Sequence, residues 1–259
     1  MVRVVVSGAG GRLGSRILSR LVEAEGVEVT GALVRPGSRH EQRVLAEGVT
    51  GTSSLDLLGD RPVLIEAALV PAALEHVARA ADFGAPVCVA TTGFDAAQRR
   101  VMDAYAAQIP LLIAPNLSLG VNVLIDLAAR AARALDGYHL EVLEMHHARK
   151  RDAPSGTAWA LAQAAEEARG RDLDRDAILA RAGETGPRGE HEVGLQTLRG
   201  GDVIGEHTVF LVGESERVEL THRAATRDAF ASGAVAAARF LGDPALGPGL
   251  YTMRDVLRL

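Results

Sequence analysis

The opening residues constrain the fold more than any other stretch. Val2–Ser7 (VRVVVS) is a short β-branched run. The glycine-rich turn Gly8–Gly14 (GAGGRLG) follows at once, and Ile17, Leu18, Leu21 and Val22 then recur at helical spacing. Strand, glycine turn and helix in that order are the setting in which a dinucleotide fingerprint has physical meaning. Glycines let the backbone turn tightly and approach a pyrophosphate, whose charge meets the amides of a helix N-terminus. The spacing is Gly8-x-x-Gly11-x-x-Gly14, with Gly10 in addition, and it suits such an approach. Arg12 adds a cation and Leu13 continues into the helix.

Further strands are expected at Val27–Val34, near 63–69, at 87–92 and at 110–115, separated by helices that begin near Pro71 and Asp95. At most a short helix is expected at Glu41–Ala46. Five apolar strands alternating with helices predict a doubly wound, mostly parallel sheet. About 20 residues beyond the last glycine, an acid usually marks an NAD ribose site. Val34 and Arg35 stand there instead, with Ser38 and Arg39 close behind. Arginine grips a 2′-phosphate, so NADPH is the expected cofactor, with NADH the alternative.

The pattern changes near Asn116. A long helix from Ser118 to about Leu135 and a strand at 139–147 lead into a helix from Ser155. Gly170–Glu192 reads as a polar, Gly-rich segment that includes a mobile loop, 194–224 as three antiparallel strands, and Asp228–Leu241 as a last amphipathic helix before a short one near Met253. The fold class is therefore α/β, with a second α+β domain. Residues 1–117 plus 227–259 are expected to form the dinucleotide-binding domain and 118–226 the substrate domain.

A second constellation lies at Glu144–Thr157 (EMHHARKRDAPSGT). Pro154 discourages helix before it and Ser155 is a natural N-cap, so the amides of Gly156 and Thr157 point at an incoming anion such as a carboxylate. His146, His147 and three cations stand just upstream. The chain has 27 arginines and one lysine, Lys150. Arginine does not release its proton near neutral pH, so a lone lysine between Arg149 and Arg151 reads as a proton donor whose crowding favours release. Adjacent histidines in extended chain face opposite ways, so one of the pair faces a given substrate atom.

Composition narrows the alternatives. With 47% hydrophobic and 24% charged residues the chain is globular, and a net charge of -5 argues against a broadly basic nucleic-acid binder. The single cysteine, Cys88, lies in an apolar strand, which excludes a disulfide framework and argues against a nucleophilic thiol. The histidines lack metal-ligand spacing, so no metal is expected. No apolar run approaches the roughly 20 residues of a membrane span. The expected location is the cytoplasm.

With these residues in view the chain resembles the 4-hydroxy-tetrahydrodipicolinate reductase (dihydrodipicolinate reductase) family of lysine and diaminopimelate synthesis. GAGGRLG, ATTGFD, PNLSLGVNV, EMHHARKRDAPSGTA, GGDVIGEHTV and the final MRDVL carry the resemblance, which spans nearly the whole chain. It implies a Rossmann-like first domain and a second domain that binds substrate and forms a homotetramer, with closure between the two. It implies hydride transfer from NADPH or NADH to a cyclic imine dicarboxylate. His146 matches the family's proton donor and acceptor and Lys150 its second donor. His147, Gly156 and Thr157, with Ser155 beside them, match residues that hold the substrate carboxylates. Gly8–Leu13, Ala90-Thr91-Thr92 and Ala114-Pro115-Asn116-Leu117 match cofactor contacts. The chain departs from the family on the cofactor side: Glu66-Ala67-Ala68 replaces Asp-Phe-Thr, Leu117 a Phe, Ala90 a Gly and Val34 an acid. Rival readings are a catalytically silent NADP-sensing protein of the same fold and a reductase of another cyclic imine.

Overall fold

A computed structural model describes residues 1–259. In chain order the elements are β1 (Val2–Ser7), α1 (Arg12–Val22), β2 (Val27–Leu33), β3 (Val44–Ala46), β4 (Val49–Thr52), β5 (Val63–Glu66), α2 (Val70–Phe83), β6 (Val87–Val89), α3 (Ala96–Tyr105) and β7 (Pro110–Ile113). Then follow α4 (Leu119–Ala134), β8 (His139–His146), α5 (Gly156–Ala168), α6 (Leu173–Asp176), β9 (Ala177–Ile178), β10 (Val193–Arg199), β11 (Glu206–Val212) and β12 (Arg217–Arg223). The chain ends with α7 (Asp228–Leu241), β13 (Gly249–Tyr251) and α8 (Met253–Leu257). It divides into two compact units, Met1–Leu119 with Arg227–Leu259, and Gly120–Thr226.

The first unit is built on an eight-stranded sheet in the order β13-β7-β6-β5-β1-β2-β4-β3. All neighbours are parallel except β3 and β4. Its strands are buried on both faces and therefore read as continuous apolar runs. One face packs Val4, Val6 and Ile65 against α1 and α7; the other packs Val5, Leu64 and Val89 against α2 and α3. Read from β4 to β7, the order is that of a doubly wound dinucleotide-binding sheet, with its switch point between β1 and β5. Two parts of this sheet differ from expectation. The stretch expected to be at most a short helix holds β3, paired with β4 through a Glu47–Gly48 turn in which Gly48 has φ +70°. At the other edge β13 adds to β7.

The second unit carries a five-stranded mixed sheet, β12-β11-β8-β10-β9. One face, including Leu140, Val142, Leu195, Val209 and Leu211, packs on Leu124 and Ala128 of α4 and Leu161 and Ala165 of α5. β11 and β12 are antiparallel as expected, but β10 runs parallel to β8. The chain returns from β8 through α5, and such a crossover brings the next strand in with the same direction. Gly170–Glu192 also holds regular structure. It carries α6 and β9, and Arg181 pairs bidentately with Glu141 at 2.9 Å for both bonds. No helix is long and apolar enough to cross a membrane.

Candidate active site and dinucleotide cradle

In the first unit every sequence-predicted cofactor residue follows the carboxyl end of a parallel strand. Gly8 directly follows β1 with φ +66°, and a Cβ there would come 2.5 Å from the Ala67 carbonyl oxygen. Gly14 packs as tightly on the loop, since its Cβ would come 2.2 Å from the Gly8 carbonyl oxygen. Gly11 is the N-cap of α1 and supplies no side chain, so the helix terminus keeps its amides for a ligand. A cavity of about 450 Å³ opens over this turn, lined by Gly8, Gly10, Gly11, Val34, Arg35, Ser38 and His40 among others. A tightly packed glycine turn whose helix terminus has no side-chain cap, beside the basic side chain of Arg35, fits a dinucleotide phosphate. Ala9 is buried, and Arg12 and Leu13 form the first turn of α1. Ala90-Thr91-Thr92 follows β6 and Ala114–Leu117 follows β7; neither segment lines that cavity.

Glu66 does not face the cavity. Its buried carboxylate accepts from the Ala68 amide at 2.6 Å, Ser7 Oγ at 3.1 Å and His76 Nδ1 at 2.7 Å. Thr91 Oγ1 donates to the Ala68 carbonyl at 2.9 Å, so the Ala67–Ala68 turn that packs on Gly8 is held from two sides. The acid that lines the cavity is Glu75 of α2. Glu41, next in sequence to the lining residue His40, is occupied: it accepts from the Gly37 amide at 2.6 Å and from Ser53 Oγ. Those bonds hold its carboxyl below the ordinary range. Burial pushes the Cys88 thiol up to about 12, which makes it inert packing.

In the second unit the histidine segment is organised around a residue the sequence reading passed over. Glu144 lies on the helix-packed face of β8 and is fully buried. Its Oε2 accepts from His146 Nδ1 at 2.6 Å and Arg199 Nη1 at 2.8 Å. Its Oε1 accepts from Arg199 Nη2 at 2.8 Å, the Ser155 amide at 3.0 Å and Thr197 Oγ1 at 3.2 Å. Burial pushes the Glu144 carboxyl up, but Arg199 and His146 outweigh it and hold the group below its ordinary range. His146 is held below its own ordinary value chiefly by burial, with Glu144 opposing and Lys150 and Arg199 assisting.

Ser155 caps α5: its Oγ accepts from the Ala158 amide at 3.1 Å and therefore turns its hydroxyl hydrogen to His207 Nε2 at 3.0 Å. Burial pushes His207 down to about 4, with His146 adding to the effect, so this imidazole is neutral and accepts. The rings of His146 and His207 meet edge-on at 5.2 Å. Gly156 opens α5, and a Cβ there would meet nothing within 4 Å, so the helix terminus borders open space. Thr157 supplies the next amide. His147 follows His146 and has a buried Nδ1 without a partner. Lys150 donates to Asp152 at 2.6 Å. Arg149 and Arg151 flank that ammonium in sequence, and the structure adds this carboxylate as its partner. Period-2 alternation would have found Glu144, which shares a strand face with His146. Arg199 and His207 reach the site only through strand pairing.

A dinucleotide-type sheet in one unit, with a buried carboxylate–histidine pair beside an open helix terminus in the other, defines a Rossmann-type oxidoreductase. The family described as "Dihydrodipicolinate reductase, N-terminus" matches residues 2–117, and "Dihydrodipicolinate reductase, C-terminus" matches residues 120–257. The chain is 45% identical over 267 residues to the 4-hydroxy-tetrahydrodipicolinate reductase of Anaeromyxobacter sp. (strain Fw109-5), covering 100% of this chain and 98% of the relative. It is 44% identical over 266 residues to the enzyme of that name from Thiobacillus denitrificans, with 100% and 99% covered. Among solved structures, the dipicolinate-bound dihydrodipicolinate reductase of Paenisporosarcina sp. TG-14 superposes with a TM-score of 0.76 at 21% identity, covering 97% of each chain. The chain belongs to the dihydrodipicolinate reductase family.

Proposed function

We propose that the chain reduces 4-hydroxy-tetrahydrodipicolinate, by way of dihydrodipicolinate, to tetrahydrodipicolinate, with NADPH as the preferred cofactor and NADH as the alternative. The observation that carries this reading is the arrangement on β8 and α5: a histidine with one nitrogen committed to Glu144, a lysine four residues on, and an open helix terminus of Gly156 and Thr157.

In the first unit, the backbone of Gly8, Ala9, Gly10 and Gly11, with Arg12 and Leu13, holds the pyrophosphate. Arg35 grips the 2′-phosphate, and the Ala90–Thr92 and Ala114–Leu117 turns hold the nicotinamide half. When bound, the dinucleotide supplies the hydride. In the second unit, the amides of Gly156 and Thr157, with His147, take the substrate carboxylates. Ser155 acts from beneath as the cap that keeps the terminus in shape. A dianionic substrate next to His146 raises the proton affinity of an imidazole that burial keeps neutral in the free protein. His146 therefore takes up a proton as substrate binds and gives it from Nε2 as the ring is reduced, with Lys150, held by Asp152, as the second donor. Protonation at that moment avoids a carbanion.

The uncovered face of the second unit's sheet presents Leu143, Met145, Leu198 and Phe210, and it supports assembly into a homotetramer. The reading places the protein in the cytoplasm. The test follows absorbance at 340 nm with NADPH or NADH, while the preceding synthase generates substrate from pyruvate and aspartate semialdehyde. Oxidation that depends on the synthase supports the reading. Binding of NADPH without turnover moves the assignment to the silent sensor or another substrate.

A further inference from the structure

We infer that Glu144 and Arg199 are the positioning residues of the proton-donating site: together they fix which nitrogen of His146 works and anchor both ends of the loop that carries Lys150. The inference deepens the proposed reduction and rests on its use of His146 as donor.

A fully buried carboxylate is costly unless its charge and lone pairs are all met. Glu144 meets that condition with five bonds from four residues, and those residues are the ones that shape the site. An ionised carboxylate only accepts, so His146 Nδ1 must carry its proton toward Glu144 and the neutral ring keeps its lone pair on Nε2. Nε2 is then directed past Gly205, where a Cβ would approach it to 3.0 Å. The same carboxylate takes the amide of Ser155, the residue that caps α5. One side chain thus sets the donor nitrogen and the start of the carboxylate-holding helix.

Arg199 extends the hold along the loop between them. Besides its two bonds to Glu144, its Nη2 donates to the Asp152 carbonyl at 2.7 Å, next to the carboxylate that pairs with Lys150. The Gly200 amide donates to the His146 carbonyl at 3.0 Å and the Ala148 amide to the Gly201 carbonyl at 3.2 Å, so β10 and the turn after it hold the near end of the loop as well. A pair that served only to fill the core would not touch both proton donors' supports.

Two measurements test this. In the wild-type protein with 15N-labelled histidine, long-range proton–nitrogen spectra, assigned with His146→Gln, should show His146 as the Nδ1–H tautomer. An Nε2–H tautomer overturns the inference. In the kinetic assay, Glu144→Gln should lower kcat by about 100-fold or more while NADPH affinity stays within about twofold. The pH limb assigned to His146 should also move to lower pH, because the carboxylate that favours its charged form is gone. Arg199→Lys keeps the charge but not the reach to Asp152, and should raise the KM for the dicarboxylate severalfold. Variants that fold and match wild-type kcat, KM and pH profile overturn the inference and leave the reductase reading intact. If Glu144→Gln does not fold, the tautomer and Arg199→Lys decide. If the wild type has no activity, the reductase reading fails and the tautomer still decides the role of Glu144.

Discussion

His146 is a neutral imidazole in the free protein near pH 7, because burial, with the charges of Lys150 and Arg199, disfavours its charge more than Glu144 favours it. The pH profile should show this. The limb of kcat/KM, which reports the free enzyme, is expected below the ordinary histidine value, and the limb of kcat, which reports the substrate complex, at higher pH. Both rates fall as pH rises through their limbs, since the protonated form is the donor. Coincident limbs would contradict proton uptake on binding. In the first unit Arg35 is the exposed cation on the cavity rim, so Arg35→Ala should weaken NADPH about tenfold and leave NADH nearly unchanged. An unchanged NADPH/NADH ratio would place the 2′-phosphate grip elsewhere. The residue types of the site were legible within the Glu144–Thr157 segment, because a cap, a proline and a lone lysine have local meanings. Its wiring was not. Glu144 was passed over as a strand residue, and Arg199 and His207 come from strands whose register with β8 is a tertiary fact.

Elements with strong local signals stand where the sequence placed them. Asp95 caps α3 in a full capping box, Ser155 caps α5, and Pro71 sits in the first turn of α2. The β3–β4 hairpin, the edge strand β13 and the direction of β10 were not legible, since short strands owe their pairing to neighbours rather than to their own period. Helix α7 was legible as a helix, while its fit was not. Ala231, Ala234, Ala237 and Ala238 are fully buried, and at Gly233 a Cβ would come 1.7 Å from the Leu117 carbonyl oxygen. Leu117 ends the segment proposed to hold the nicotinamide half, so α7 packs directly beneath it. Gly233→Ala should cost about 1–3 kcal/mol through overpacking, despite the higher helix propensity of alanine. A thermal melt should show Tm down by several degrees and NADPH affinity reduced with it. A Tm at or above wild type would mean that α7 can shift without strain.

At the scale of the whole molecule the chain crosses between its two units twice, and the units differ in what acid does to them. The histidines held below their ordinary range, His146, His207 and His222, all belong to the second unit, and burial is the leading cause in each. His207 moves furthest, from 6.5 to about 4. An unfolded chain binds that proton from about pH 6.5 downward while the folded unit refuses it until about pH 4. Stability is therefore fully present above 6.5 and lost as pH falls across that window, up to about 3 kcal/mol for His207 alone. His146 and His222 add in the same direction. The depressed carboxyl of Glu144 matters only from the acid end of this window downward: its contribution is present above about 4.5 and is lost as pH falls from there through its own lowered value. The chain's one tryptophan, Trp159, packs against the core of the second unit and reports on it selectively. The urea midpoint read from Trp159 fluorescence should fall steadily from about pH 7 to about pH 4.5. His207→Gln, which can still accept from Ser155, should flatten that slope. A midpoint that stays level across the window in the wild type would show that these imidazoles find water or partners when charged, and that they are not what limits the protein in acid.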